Sequence, residues 1–217
     1  MHPIRYSPVY AYLAAHALEW GAAGDAELAL RLDTAANEAA AVSDLALCDL
    51  SGLARFGFRG ASASEWLLSA GVPVPSEVFG TASLPGHGII ARLGTEEFLM
   101  EEGLNQNLVT DLSRQLGTGL PGVYRIDRHD GTFLLCGRRA TKVLAQTCGV
   151  NFQETPLGRV VFTRVAAINC MILPQRAGEV PGYRLWTDPS FAVDLWQTLA
   201  EIVGELQGRV VGAASVG

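Results

Sequence analysis

Two stretches of the chain carry the same order of apolar and polar positions. Residues 55–68 read RFGFRGASASEWLL and residues 132–145 read TFLLCGRRATKVLA. Set side by side without a gap, Phe56 meets Phe133, Phe58 meets Leu135, Gly60 meets Gly137, Ala63 meets Ala140 and Leu67 meets Leu144. Each copy is a short alternating run with the period of a strand, then a glycine, then a run with the period of a helix. Each is also preceded by another alternating run. The first copy predicts strands over 45–50 and 53–59, joined by Ser51-Gly52, and a helix over SASEWLLSAG. There Ser62 followed by Glu65 has capping-box spacing. The second copy predicts strands over 123–128 and 132–136, joined by Asp130-Gly131, and a helix over 138–147.

The rest of the chain is read the same way. Residues 8–20 predict a helix with Val9, Tyr12, Leu13, Ala17 and Trp20 near one side, started by Ser7-Pro8. A second helix is predicted over 25–43, which is rich in alanine and leucine. Residues 72–86 read as loop. Ile89 to Leu93 and Phe98 to Glu101 predict a hairpin around Gly94-Thr95-Glu96. Leu104, Leu108, Leu112 and Leu116 recur every four residues and predict an amphipathic helix over 103–116. Strands follow at 159–165, 168–173 and 182–187. A last helix runs from Pro189 through Leu206, with Phe191, Leu195, Trp196, Leu199 and Val203 on its buried side and Asp188 or Ser190 as its cap. Hairpins dominate and no clean βαβ alternation occurs. The expected class is α+β, with two similar lobes of mainly antiparallel sheet and packed helices. The expected division is an N-terminal helical segment at 1–40, lobes at 41–120 and 121–208, and a flexible tail at 209–217.

Composition adds three constraints. Hydrophobic residues make up 49% of the chain and charged residues 18%. That surplus fits a surface partly covered by a partner. The formal charge is −6 and no basic run occurs, which argues against nucleic-acid binding. The densest cations, Arg138, Arg139 and Lys142, read as a solvated helix start. Cys48, Cys136, Cys148 and Cys170 lie among apolar residues without CxxC spacing, so neither a metal site nor a disulfide framework is expected, and a reducing cytoplasm fits. The N-terminal apolar stretch is broken by His16 and Glu19, a poor signal peptide. No run approaches the ~20 apolar residues of a membrane span.

Candidate chemistry is sparse. His2, His16, His87 and His129 are scattered. Gly86-His87-Gly88 lacks the third glycine and the helix of a dinucleotide loop, and His87 reads as a plain loop histidine. Ser51 is not in a nucleophile elbow. Asp49 reads as the anchor of an Asx-turn with Ser51 or Gly52. Glu96, Glu97, Glu101 and Glu102 form an acidic patch at the hairpin and are expected to be solvated rather than tuned for acid–base work. Trp186 and Trp196 are expected beneath the last helix, and Trp66 between lobes. Spacing alone yields no catalytic constellation and no metal-ligating residue, and it leaves cofactor-binding residues unassigned.

A family resemblance goes further. LCDLSGLARFGFRGASASEWLL resembles the start of the aminomethyltransferase fold of the glycine-cleavage T-protein, and GIIARLGTEEFLM resembles its hairpin. FLLCGRRATKVLAQTCGVNF, RVVFTRVAAINCMILP and YRLWTDPSFAVDLWQTLAEI resemble the γ subunit of heterotetrameric sarcosine oxidase. The resemblance covers roughly residues 40–207, and the segment from Asp188 to Leu199 is its most specific part. One departure stands out. Active T-proteins follow this Ile-Ile pair with two aspartates, one serving the folate-linked chemistry, whereas here Ile89-Ile90 precede Ala91-Arg92. The resemblance implies an accessory γ subunit whose own active site was lost. Its expected partners are a large α subunit, a flavin-bearing β subunit and a small zinc subunit. FAD, FMN, NAD, tetrahydrofolate and zinc would be bound by those partners and none by this chain alone. Oxidation of sarcosine or a related N-methyl amino acid would take place on a partner's flavin. The alternative implied is a stand-alone tetrahydrofolate-dependent aminomethyltransferase-like protein.

Overall fold

The computed structural model describes residues 5–117 and 119–217, so His2 lies outside the described residues. In chain order the elements are α1 (Tyr10–Ala14), β1 (Glu19–Ala23), β2 (Ala26–Arg31), α2 (Ala35–Asp44), β3 (Ala46–Asp49), β4 (Arg55–Arg59), α3 (Ala63–Ser69), β5 (Thr81–Leu84), β6 (Gly88–Gly94), β7 (Glu97–Glu101), α4 (Leu108–Leu116), β8 (Tyr124–Ile126), β9 (Gly131–Cys136), α5 (Ala140–Thr147), β10 (Val161–Val165), β11 (Ile168–Ala177), β12 (Val180–Thr187), α6 (Ala192–Glu205) and β13 (Arg209–Val211). Helix and mainly antiparallel sheet are mixed, as the pattern predicts.

Two compact units form, and neither is continuous in sequence. The first takes the chain up to Gly52, Asp130–Leu157 and Val161–Val216. The second takes Leu53–His129, Gly158–Val160 and Gly217. The first holds a six-stranded sheet in the order β10-β11-β12-β9-β3-β13 and the hairpin β1-β2; the second holds a five-stranded sheet in the order β5-β6-β7-β4-β8.

The two copies of the repeat exchange their leading strands. β3, which opens the first copy, pairs antiparallel with β9 of the second, Ala46 opposite Cys136 and Asp49 opposite Phe133. β8, which opens the second copy, pairs antiparallel with β4 of the first, Gly57 opposite Ile126 and Arg59 opposite Tyr124. The lobe boundaries expected at 41–120 and 121–208 therefore do not follow the sheets. Each sheet is completed by a strand from the other copy.

The exchange is fixed by two matching turns. Gly60 has φ 136° and Gly137 has φ 108°, left-handed values that glycine adopts without strain. Past Gly60, Ser62 N donates to Gly122 O (3.1 Å); past Gly137, Arg139 N donates to Asp44 O (2.9 Å). Gly122 lies just ahead of β8, and Asp44 just ahead of β3. Each strand–glycine–helix turn thus grips the backbone that leads into the strand it receives.

In the first unit, Leu45, Leu47, Phe133, Leu135, Ile172, Tyr183 and Leu185 form one core with Val143 and Leu144 of α5 and Leu195, Trp196, Leu199 and Val203 of α6. The alternate positions Cys48, Leu134, Cys136, Leu173 and Trp186 are buried too. Burial on both faces explains why these strands read as unbroken apolar runs. Trp196 sits where expected, but Trp186 alternates onto the opposite face of β12 from Leu185. In the second unit Phe56, Phe58, Ile90, Phe98 and Met100 pack with Leu67, Val109, Leu112 and Leu116. Trp66 meets Phe58 edge-on at 5.0 Å, so its packing belongs to this unit's own core.

The N-terminal segment is not helical throughout. α1 ends at Ala14, and residues expected in two helices instead form the β1-β2 hairpin. Ala26, Leu28 and Ala29 are buried, and Arg31 pairs with Glu19 across the hairpin. α2 begins after Thr34, whose side chain accepts from Asn37 N. Helix α6 is preceded by a short turn at Pro189–Phe191, where Asp188 accepts from Ser190 N as expected, but Phe191 is 52% exposed rather than buried. The predicted loop 72–86 contains β5. The tail is ordered: β13 runs parallel to β3, and Gly212 N donates to the buried Glu38 carboxylate (2.9 Å).

Candidate functional site

The second unit presents a hollow of about 600 Å³ at one end of its sheet. It is built on a row of three side chains across three strands. Arg59 on β4 stands opposite Glu97 on β7 and opposite Tyr124 on β8. Directly opposed residues share a face, with Cβ atoms about 5 Å apart. Gly60, Ala61, Gly94 and Thr95 line the remainder, so small residues form much of the wall. Tyr124 is 65% exposed. The side chains of Arg59 and Glu97 meet no ion-pair or hydrogen-bond partner among the described residues.

The rim of this hollow is held from several sides. Gly60 N donates to Glu96 O (2.9 Å). The Glu96 carboxylate accepts from Ser64 N (3.2 Å) and Ser64 Oγ (2.8 Å) at the start of α3. Ser62, expected to cap that helix, makes no side-chain cap; Glu96 supplies the acceptor, as the dipole of a helix start favours. Arg92 reaches back to Gly94 O and Thr95 O with Nε and to Pro75 O and Ser76 O with Nη1. Its guanidinium also lies 5.6 Å from the centre of the Phe98 ring. Arg92 therefore clasps two turns, and its neighbour Ala91 is buried.

The acidic patch divides once folded. Glu96 and Glu97 border the hollow, but Glu101 and Glu102 are buried rather than solvated. Glu101 Oε2 takes a hydrogen bond from Arg55 Nε at 2.9 Å, with both side chains 1% exposed. Glu102 accepts from Thr110 N (3.0 Å) near the start of α4. These carboxylates tie the strands and helix α4 of the unit together.

A smaller groove of about 320 Å³ runs along α5 in the first unit, lined by Thr141, Leu144, Cys148, Asn151, Phe152 and Gln153 among others. Cys148 is half-buried, with Sγ 3.5 Å from Thr163 Oγ1. The other three thiols are poor nucleophiles. Burial pushes Cys136 up to about 12 and Cys170 up to about 11, and burial followed by the charge of Asp49 raises Cys48.

Asp49 plays the turn role expected of it. Its Oδ1 accepts from Ser51 N (3.1 Å) and Ser51 Oγ (2.6 Å). Ser51 Oγ in turn accepts from Thr132 N (2.9 Å), which ties the first copy's turn to the second copy's strand. Ser51 is 2% exposed. His87 sits in a tight turn at Pro85–His87, and strand β6 rather than a helix follows it. Among the described residues no group of three or more His, Cys, Asp or Glu side chains could hold a metal, and no helix is long and apolar enough to cross a membrane.

Sequence reasoning missed the row of Arg59, Glu97 and Tyr124. Arg59 and Glu97 belong to strands joined through nonlocal pairing, and Tyr124 comes from the other copy of the repeat. The one local signal was the Arg59-Gly60 pair at the end of an apolar strand.

No protein-family model and no curated protein matches the chain. Solved structures do resemble it. The glycine cleavage system aminomethyltransferase T from Bartonella henselae superposes over 98% of this chain with a TM-score of 0.76 at 18% identity. A chain of heterotetrameric sarcosine oxidase from Corynebacterium sp. U-96, in complex with pyrrole 2-carboxylate, superposes over 94% of this chain with a TM-score of 0.67 at 22% identity. The present chain spans 60% of the aminomethyltransferase's length and 97% of the oxidase chain's. The architecture, with its mixed helices and antiparallel sheets, is that of the T-protein-like fold.

Proposed function

We propose that the chain is the accessory γ-type subunit of a heteromeric, flavin-dependent sarcosine oxidase-like complex in a reducing cytoplasm. The observation that carries this reading is the near end-to-end match with a chain of similar length from a heterotetrameric enzyme. The chemistry, oxidative demethylation of sarcosine or a related secondary amino acid, would belong to partner α and β subunits. FAD, FMN, NAD and tetrahydrofolate would be bound there, and zinc by a small fourth subunit. The residues of this chain support a non-catalytic role. Where the resemblance calls for a folate-linked carboxylate, Ala91 offers a buried methyl group and Arg92 is engaged by four backbone carbonyls. A developing positive charge there would meet a cation instead of an anion.

A stand-alone tetrahydrofolate-dependent aminomethyltransferase-like protein is the second reading, favoured by the higher TM-score to the aminomethyltransferase. One experiment separates them. The chain is purified at native expression level, and co-eluting proteins are identified by mass spectrometry while tetrahydrofolate binding by the isolated chain is measured by calorimetry. Stoichiometric co-elution with flavin-containing subunits, and no folate binding alone, is the expected result. A monodisperse lone chain that binds tetrahydrofolate would overturn the accessory reading.

A further inference from the structure

We infer that the hollow at Arg59, Glu97 and Tyr124 is a binding site for a free α-amino acid, recognised as a zwitterion. This does not rest on the accessory-subunit reading. The argument begins with charge. Arg59 and Glu97 are nearest neighbours across β4 and β7, yet their side chains form no ion pair with each other. A guanidinium offers a planar fork that takes a carboxylate through two parallel hydrogen bonds. A carboxylate beside it takes an ammonium. An α-amino acid carries both groups on one carbon and satisfies both side chains at once. A dicarboxylate would be repelled by Glu97 and by Glu96 behind it, and a diamine by Arg59.

Shape and rigidity agree with this. Gly94 leaves open the space beside Glu97: a Cβ added there would come within 3.3 Å of Glu97 Cβ. The turn at 94–96 is tied to Gly60, Ser64 and Arg92, so the site forms before a ligand arrives and little ordering is needed on binding. The exposed Tyr124 ring supplies an apolar wall on the side of Arg59 away from Glu97. An aliphatic side chain on the amino acid would lie against it.

The test uses the full-length chain labelled with nitrogen-15 and titrated with glycine, leucine, acetate and methylamine. Saturable shifts at the amides of Gly60, Ala61 and Gly94 to Glu97 are expected for glycine in the millimolar range, with leucine tighter. Acetate and methylamine, each carrying half of the zwitterion, should bind at least about tenfold more weakly. Arg59→Gln and Glu97→Gln should each weaken glycine at least about tenfold, and Tyr124→Ala should erase the advantage of leucine while sparing glycine. All three positions reach solvent, and an unchanged spectrum away from the hollow will show that the variants fold. Absence of saturable shifts up to about 50 mM glycine, equal binding of acetate, or unchanged affinity in both charge variants would overturn the inference.

Discussion

Glu38 shows how much one buried carboxylate can organise. Its side chain is fully shielded from solvent, yet Ser215 Oγ and the N–H groups of Leu32, Asp33 and Gly212 all donate to it, with Arg31 Nη1 nearby at 3.3 Å. It joins the end of β2, the start of α2 and the C-terminal segment. Burial alone would raise its pKa, but the bonds from Ser215, Leu32, Gly212 and Asp33 together lower it. A carboxyl lowered in the folded state contributes stability that is present above its unfolded pKa and is lost as pH falls through the folded value. The unfolded value is about 4.3. Replacing Glu38 with glutamine removes the charge and sets an amide group against several N–H donors. The expected loss is about 1–3 kcal/mol at neutral pH. Thermal unfolding from pH 7 downward should show the two proteins converging below about pH 4. A constant gap across that range would mean that the ionised form of Glu38 carries none of the effect. Asp33 is also lowered, first by its bond from Asn37; the difference between wild type and variant at each pH isolates Glu38.

At the scale of elements, the two turns that follow β4 and β9 decide whether the repeat closes. A Cβ on Gly137 would fall 2.3 Å from Asp44 O, and one on Gly60 would fall 2.1 Å from Gly122 O. Alanine at either position is penalised twice, once for the left-handed backbone and once for displacing a carbonyl that accepts from the turn. Each contribution is about 1–3 kcal/mol. Gly71 is the control, because it has φ 70° but nothing within 4 Å of an added Cβ. Urea unfolding should place Gly60→Ala and Gly137→Ala at least about 2 kcal/mol below wild type and Gly71→Ala at about 1. Equal losses at all three sites would show that the close approach carries no weight. These glycines were legible in the sequence because the aligned copies put them at the same place. So were the β6-β7 hairpin, the buried face of α6 and the Asp49 turn, all of which are set by local spacing. The β1-β2 hairpin was not. Alanine and leucine favour helix by propensity, and what overrides them is burial of Ala26, Leu28 and Ala29 within the folded unit. The order of the tail was hidden for a similar reason: its partners, β3 and Glu38, lie far away in the sequence. The candidate hollow was hidden because its three side chains come together only through pairing of β7, β4 and β8.

For the molecule as a whole, strand exchange sets which pieces of the chain can fold. A cut at the visible repeat boundary would give residues 41–120, which contain β3 to β7 and α4. That fragment carries β3 without β9 or β13, so an entirely buried strand would be left exposed with no ladder partner. It also lacks β8 and Val123, so β4 has no neighbour on its second edge and the core is short of a buried side chain. Residues 53–129 instead omit β3 and keep all five strands of β5-β6-β7-β4-β8 with α3 and α4. Among the strand pairings of its own sheet, this second fragment forgoes only the short pairing of Gly80 with Arg159 and its neighbours at the edge beside β5. An unpaired apolar strand is an aggregation hazard, whereas a short bridge at a sheet edge is a minor omission. The 53–129 fragment should therefore be monomeric, give a dispersed amide spectrum and unfold cooperatively in urea, while 41–120 should aggregate or remain unstructured. Should 41–120 fold as well as 53–129, the exchange of β3 and β8 would contribute nothing to the unit's integrity. The order of folding follows from the same topology. The β6-β7 hairpin closes locally, but β3 must wait for β9, which the chain makes only after the whole of the second unit's sheet has passed. Closing so long a loop is entropically costly, so the second unit is expected to acquire protection from hydrogen exchange before the six-stranded sheet does.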